Sequence, residues 1–139
     1  MSILVATSDE EIAACFPVMK QLRPHLTPEE FVLRVRKQMS AGYKLVYFLS
    51  DRRLVAVAGY RVANKLSAGK FLFVDDLVTD ETARSKGYGA RLLTWLRGQA
   101  RAEKCSCLQL DTGIQRKDAQ RFYEREGMRL SGYHYEVVP

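Results

Sequence analysis

The sequence predicts one domain of mixed α/β class with a partly antiparallel sheet, and three observations predict it. Two β-rich runs, residues 43–50 and 54–62, are separated only by Asp51, Arg52 and Arg53, which makes an antiparallel hairpin. A third apolar run, 71–78, stops shortly before a stretch whose apolar residues recur at helical spacing. No linker, repeat or low-complexity segment divides the chain, and 139 residues suffice for one full core but not two. A single domain is therefore expected over residues 1–139.

Composition excludes several classes. Hydrophobic residues at 47% and charged residues at 27% are globular proportions, and no apolar run is long enough to cross a bilayer. The first residues turn acidic by Asp9 without a basic start, so no secretory signal is read and a cytoplasmic location is expected. Cys15, Cys105 and Cys107 form an odd set without metal-ligand spacing, which reads as reduced core thiols and no metal site. The net charge of +6 invites nucleic acid as a partner. The cations are scattered through amphipathic segments without a docking motif, however, and a multiply phosphorylated ligand would use the same surplus, so nucleic acid is not expected.

Each element has a local cause. Residues 3–7 read as a strand, and Ser8 with Glu11 forms a capping box opening a helix with Ile12, Cys15, Phe16 and Met19 on its apolar side. Pro17 deletes a backbone donor there, so a kink or break is expected. Thr27, Pro28 and Glu30 supply an N-cap, a first-turn proline and an N3 glutamate for a second helix, whose stripe of Phe31, Val32, Val35 and Met39 ends at Gly42. After the hairpin, a polar turn over 64–69 leads to the strand 71–78, and a helix begins near Gly87. Residues 106–111 form a fifth strand, 116–126 a fourth helix, and 129–138 a last strand region broken by Gly132.

The chemistry concentrates at Arg84, Ser85, Lys86, Gly87, Tyr88, Gly89 and Ala90, where strand gives way to helix. A helix entrance offers unpaired N–H groups and the positive end of a dipole, and glycines let an anion approach them without a Cβ in the way. Arg84 and Lys86 add mobile cations, so the loop has the outline of a phosphate cradle. Its Arg-x-x-Gly-x-Gly spacing is shorter than the dinucleotide or P-loop fingerprints and resembles motif A of the GNAT superfamily of N-acetyltransferases. A second landmark follows in Phe122-Tyr123-x-x-x-Gly127-Met128, resembling the aromatic–Tyr–x-x-x–Gly–apolar helix end of that family.

The resemblance implies the GNAT acyl-CoA N-acyltransferase fold, an α/β (α+β) architecture with a mixed central sheet of about six to seven strands flanked by about four helices. It implies acetyl-CoA as cosubstrate and an amine acceptor, with a homodimer left open. It places main-chain groups of Leu77, Val78 and Thr79 along the pantetheine arm, and those of Ser85 to Ala90 around the pyrophosphate. Arg116 and Ala119 stand where the family often has Asn-x-x-Ala facing the cofactor, with Arg in place of Asn. Tyr123 matches the tyrosine that many members place near the sulfur, where a phenol can protonate a departing thiolate. Asp75 and Asp76 end an apolar strand and are expected on opposite faces. Asp75 matches the acidic position of amine acetyltransferases and is expected to matter more than Asp76, either as the acceptor of the ammonium or as a structural partner of Arg or Lys. Asp111, His134 and His25 are weaker candidates.

The acceptor pocket is expected between the 23–26 loop, the 44–47 strand and residues 133–135. Direct transfer in a ternary complex to a primary amine of a small molecule or peptide is the expected activity, since no cysteine has a nearby histidine in sequence to make it a nucleophile. A protein or peptide acetyltransferase and an acyl-CoA-binding regulatory module without turnover are the alternatives.

Overall fold

The computed structural model describes all 139 residues. Its elements run β1 (Ser2–Val5), α1 (Asp9–Leu22), α2 (Pro28–Met39), β2 (Lys44–Ser50), β3 (Arg53–Lys65), β4 (Gly69–Thr79), a short 3₁₀ turn (Glu81–Ala83), α3 (Tyr88–Ala102), β5 (Cys107–Leu110) and α4 (Lys117–Arg125). The strands form one sheet in chain order, and the β1–β2, β2–β3 and β3–β4 pairings are antiparallel. No helix is long and apolar enough to cross a membrane.

Alternation along the strands divides the sheet's two faces between the helices. Tyr43, Leu45, Tyr47, Val57 and Val78 pack with Ile12, Cys15, Phe16 and Met19 of α1 and Phe31 and Val35 of α2. On the other face, Phe48 meets Tyr88 and Tyr60 meets Trp95 of α3. The capping box forms as expected, with Glu11 N–H donating to Ser8 Oγ. Tyr47 also donates to Glu11 at 2.6 Å, and this bond above all holds the glutamate's carboxyl down at about 2. Helix α1 is thereby fastened to β2. Thr27 caps α2 through Glu30 N–H.

Three expectations need correction. Helix α1 runs unbroken through Pro17, so the break does not occur; the row Ile12, Cys15, Phe16, Val18 and Met19 is buried while the proline sits on the exposed side. The β2–β3 loop is only Asp51 and Arg52, both at positive φ, as the twist of a two-residue hairpin requires. Residues 129–138 carry no strand, so the sheet has five strands rather than six or seven. Their β-rich composition was legible, but a strand exists only through a ladder partner, and Leu130, Tyr133, Tyr135, Val137 and Val138 are exposed.

Chain packing divides the molecule into Met1–Gln109 and Leu110–Pro139. The first unit contains the sheet core, α1, α2 and α3. The second contains α4, whose end is a Schellman stop: Met128 N–H donates to Tyr123 O and Gly127 N–H to Glu124 O, with Gly127 at φ 91°.

Candidate active site

The entrance of α3 leaves its first backbone donors uncapped. Gly87 is its N-cap at φ 80°, ψ 9°, with no side chain capping it and no acidic residue in the first turn. The helix's first backbone bond runs from Arg91 N–H to Gly87 O, which leaves the N–H groups of Tyr88, Gly89 and Ala90 free. Ser85 is also at positive φ, and Arg84 and Lys86 are exposed without partners. Tyr88 pins the loop to the sheet, its ring 5.3 Å from that of Phe48 and its hydroxyl 3.1 Å from Ser50 Oγ. A Cβ added at Gly87 would meet no neighbouring atom within 4 Å, but at φ 80° a side chain there is strained.

Strand β4 outruns its neighbour. Ser106 N–H donates to Lys70 O, so β5 joins β4 near its beginning, and four residues cannot cover an eleven-residue strand. The far end, Leu77 to Thr79, is paired to Ala58, Val57 and Ala56 of β3 on one side only. Val78 is buried in the core, while Leu77 and Thr79 are half-buried.

A β-bulge shapes the acidic pair. Gly59 pairs with Asp76 and Tyr60 with Val74, so Asp75 is the extra residue on β4. The expectation that the two carboxylates face opposite ways fails here, because a bulge breaks the strict alternation that puts neighbours on opposite faces. Arg61 and Tyr43, which hold the two carboxylates, belong to the same face of the sheet. Asp75 is locked in a two-point ion pair with Arg61, at 2.9 and 3.0 Å. Asp76 accepts from Tyr43 Oη at 2.7 Å and from Arg23 Nε at 3.0 Å. Arg23, the C-cap of α1, also donates to the carbonyl of Asp75 at 2.9 Å and so clamps the bulge.

Asp76, with its side chain 14% exposed, opens into a cavity of about 270 Å³ between α1, α2 and β4. Met19, Leu26 and Phe31 supply apolar wall, Arg23 and Arg34 supply cationic wall, and His25 lies beside them. Burial, reinforced by Asp76, pushes the Tyr43 phenol up well above its ordinary value, so it remains a donor to the carboxylate. The cavity thus presents a carboxylate oriented by a neutral phenol and a guanidinium, an arrangement able to accept a hydrogen bond from an ammonium group. Arg23, His25, Leu26 and Tyr43 border it, and of the regions named from sequence neither 44–47 nor 133–135 contributes a lining residue.

Tyr43 and Gly59 are the parts that sequence reasoning missed. A Cβ at Gly59 would lie well inside the van der Waals radius of Tyr43 Oη, so glycine there lets the phenol pass beneath β3 to reach Asp76. An isolated glycine within a β-rich run was the available signal. Gly59→Ala should lower stability by about 1–3 kcal/mol through overpacking. Thermal melts against wild type check this, and an unchanged midpoint would mean that Tyr43 repositions freely.

In the second unit, Tyr123 lies on α4 with its hydroxyl unpartnered and its ring 5.3 Å from that of Phe122. Burial raises its pKa, against a lowering influence from Arg116, so it is a proton donor through the neutral range. Arg116 is the exposed N-cap of α4 and Ala119 is half-buried in its first turn. Asp111 and His134 pair with each other at 3.2 Å. His25 is exposed in the α1–α2 loop.

Residues 6–128 match the sequence model of the Acetyltransferase (GNAT) family. The chain is 34% identical, over 91% of both chains, to the uncharacterized N-acetyltransferase YhdJ of Bacillus subtilis. It is 36% identical to an aminoalkylphosphonate N-acetyltransferase of Salmonella typhimurium over 45% of this chain and 40% of that one. Among solved structures, the aminoglycoside N-acetyltransferase AAC(6')-Iy in complex with CoA superposes with a TM-score of 0.85 at 12% identity, covering 99% of this chain and 95% of that one.

Proposed function

The chain belongs to the acetyltransferase (GNAT) family and is an N-acetyltransferase, and from that premise we propose that it transfers acetyl from acetyl-CoA to the primary amine of a small molecule by direct attack in a ternary complex. The observation that carries the reading is Asp76, a carboxylate held by Tyr43 and Arg23 at the wall of a cavity sized for a small molecule. The acceptors named for two of the similar proteins, an aminoalkylphosphonate and an aminoglycoside, are small amines, which supports the same class here.

Enzymes of this family use acetyl-CoA. The fit of its diphosphate to the α3 entrance is supported by the free N–H groups of Tyr88, Gly89 and Ala90, the helix dipole, and the unpaired Arg84 and Lys86. Ser85 and Gly87 shape that loop through their positive φ. We assign the one-sided edge of Leu77, Val78 and Thr79 to the pantetheine arm, one N–H there polarising the thioester carbonyl. Arg116 and Ala119 are assigned to the cofactor by the motif they match.

Asp76 then receives the acceptor's ammonium and draws off its proton, freeing the nitrogen lone pair to attack the carbonyl carbon. Tyr123 gives its phenolic proton to the sulfur as the C–S bond breaks. Asp75, paired with Arg61 and outside the cavity lining, supports the bulge that presents Asp76, so this proposal reverses the order of importance expected from sequence.

A screen of amines and N-terminal peptides with acetyl-CoA, read by thiol release, tests the proposal. Turnover with small amines supports it, and turnover confined to peptides would overturn the acceptor class. Gly87→Val should weaken acetyl-CoA about tenfold to a hundredfold, the worth of one to two charge-assisted hydrogen bonds, because a branched side chain is strained at φ 80° and shifts the loop that presents the donors. Calorimetric titration measures it, and unchanged affinity in a folded variant would remove the loop from the account.

A further inference from the structure

We propose that the acceptor carries an acidic group, a carboxylate, phosphonate or phosphate, beside its amine, and that Arg34 with His25 receives that acid while Asp76 receives the amine; the inference rests on the transfer reaction proposed above. The charge of the cavity is the reason. Asp76 is the only acidic residue lining it, and Arg23 already faces that carboxylate at 3.0 Å. Arg34 then stands as an unneutralised cation, because it makes no hydrogen bond or ion pair within the chain. His25 is likewise without a partner and opens on the same space.

A cavity meant for a plain alkylamine or a polyamine gains nothing from a surplus cation on its wall, which repels an ammonium bound beside it. An acceptor with an acid on it reverses that sign. Its ammonium pairs with the one carboxylate, its acid pairs with the free guanidinium, and the planar fork of arginine can grip a carboxylate or phosphonate at two points. The walls agree with this division. Arg34 and Phe31 are one turn apart on α2, so the acid end lies toward the helix and Phe31 lies beside the short apolar linker. A volume of about 270 Å³ fits such a molecule and is small for an extended polycation.

The test compares matched acceptors on the intact enzyme with acetyl-CoA at saturation: 3-aminopropanoate against propylamine, 2-aminoethylphosphonate against ethylamine, and putrescine as a dication. Wild type should favour the acidic member of each pair by about tenfold to a hundredfold in kcat/KM, the equivalent of one charge-assisted contact. Arg34→Gln should raise KM for the acidic acceptors by a similar factor with little change in kcat, bringing the ratio within each pair toward one. Arg34→Lys should recover part of it. Equal or better use of propylamine, ethylamine or putrescine by wild type would overturn the inference and leave the transfer reaction standing. So would an Arg34→Gln enzyme, with an unchanged thermal midpoint, that keeps its preference for the acid. Absence of thiol release with every amine would instead overturn the underlying reaction together with this inference.

Discussion

Replacing Tyr123 with Phe should slow a single turnover by about two to four powers of ten, the usual share of general-acid catalysis, while leaving acetyl-CoA affinity and stability nearly unchanged. An alkyl thiolate leaves poorly from a tetrahedral intermediate unless protonated, and the Tyr123 hydroxyl is unpartnered with a pKa raised by burial, so it arrives protonated. The substitution keeps the ring that meets Phe122. Steady-state turnover would fall less if product release limits the wild type, which is why the single-turnover rate is the quantity to measure. A variant as fast as wild type in that measurement would make Tyr123 a packing residue and leave water as the proton source.

Asp76→Asn should lower kcat/KM near neutral pH by about two powers of ten or more, the scale of a lost general base. Asn retains the shape and can still accept from Tyr43 or Arg23, so a loss of that size with a preserved fold would be chemical. The pH dependence gives the sign. An alkylamine with a pKa of about 10 reaches the enzyme as ammonium at pH 7, and the variant cannot take its proton; as pH rises, the amine arrives neutral and part of the rate should return. Asp75→Asn should cost less, because Asp75 does not line the cavity and its carboxylate is held at two points by Arg61. Rate–pH profiles of both variants decide, and a larger loss in Asp75→Asn would restore the order that the motif alone suggested.

The contrast between these two carboxylates marks how far the sequence was legible. Features encoded by neighbours in the chain could be read: the Ser8–Glu11 box, the Thr27 cap, the existence of the β2–β3 hairpin though not its loop length, and the glycine at the α3 entrance. The bulge could not, because it depends on register between β3 and β4, and Tyr43, which reaches Asp76 past Gly59, comes from the residue before β2. Alternation without register put Asp75 and Asp76 on opposite faces. Proline's local cost was overestimated at Pro17, where tertiary packing outweighed it. The second landmark also separates into parts. Gly127 and Met128 are explained as a helix stop, so within that motif only Tyr123 carries information about chemistry.

The central claim, that the α3 entrance and the Asp76 cavity together serve acetyl transfer, is tested most directly by mixing excess enzyme with acetyl-CoA, with and without a small amine, quenching, and weighing both protein and products by mass spectrometry. The account predicts one equivalent of free CoA and one of N-acetylated amine, formed only when the amine is present, with the protein mass unchanged. Acetyl-CoA that binds but is never consumed with any amine, or an acetylated protein formed without acceptor, would contradict it.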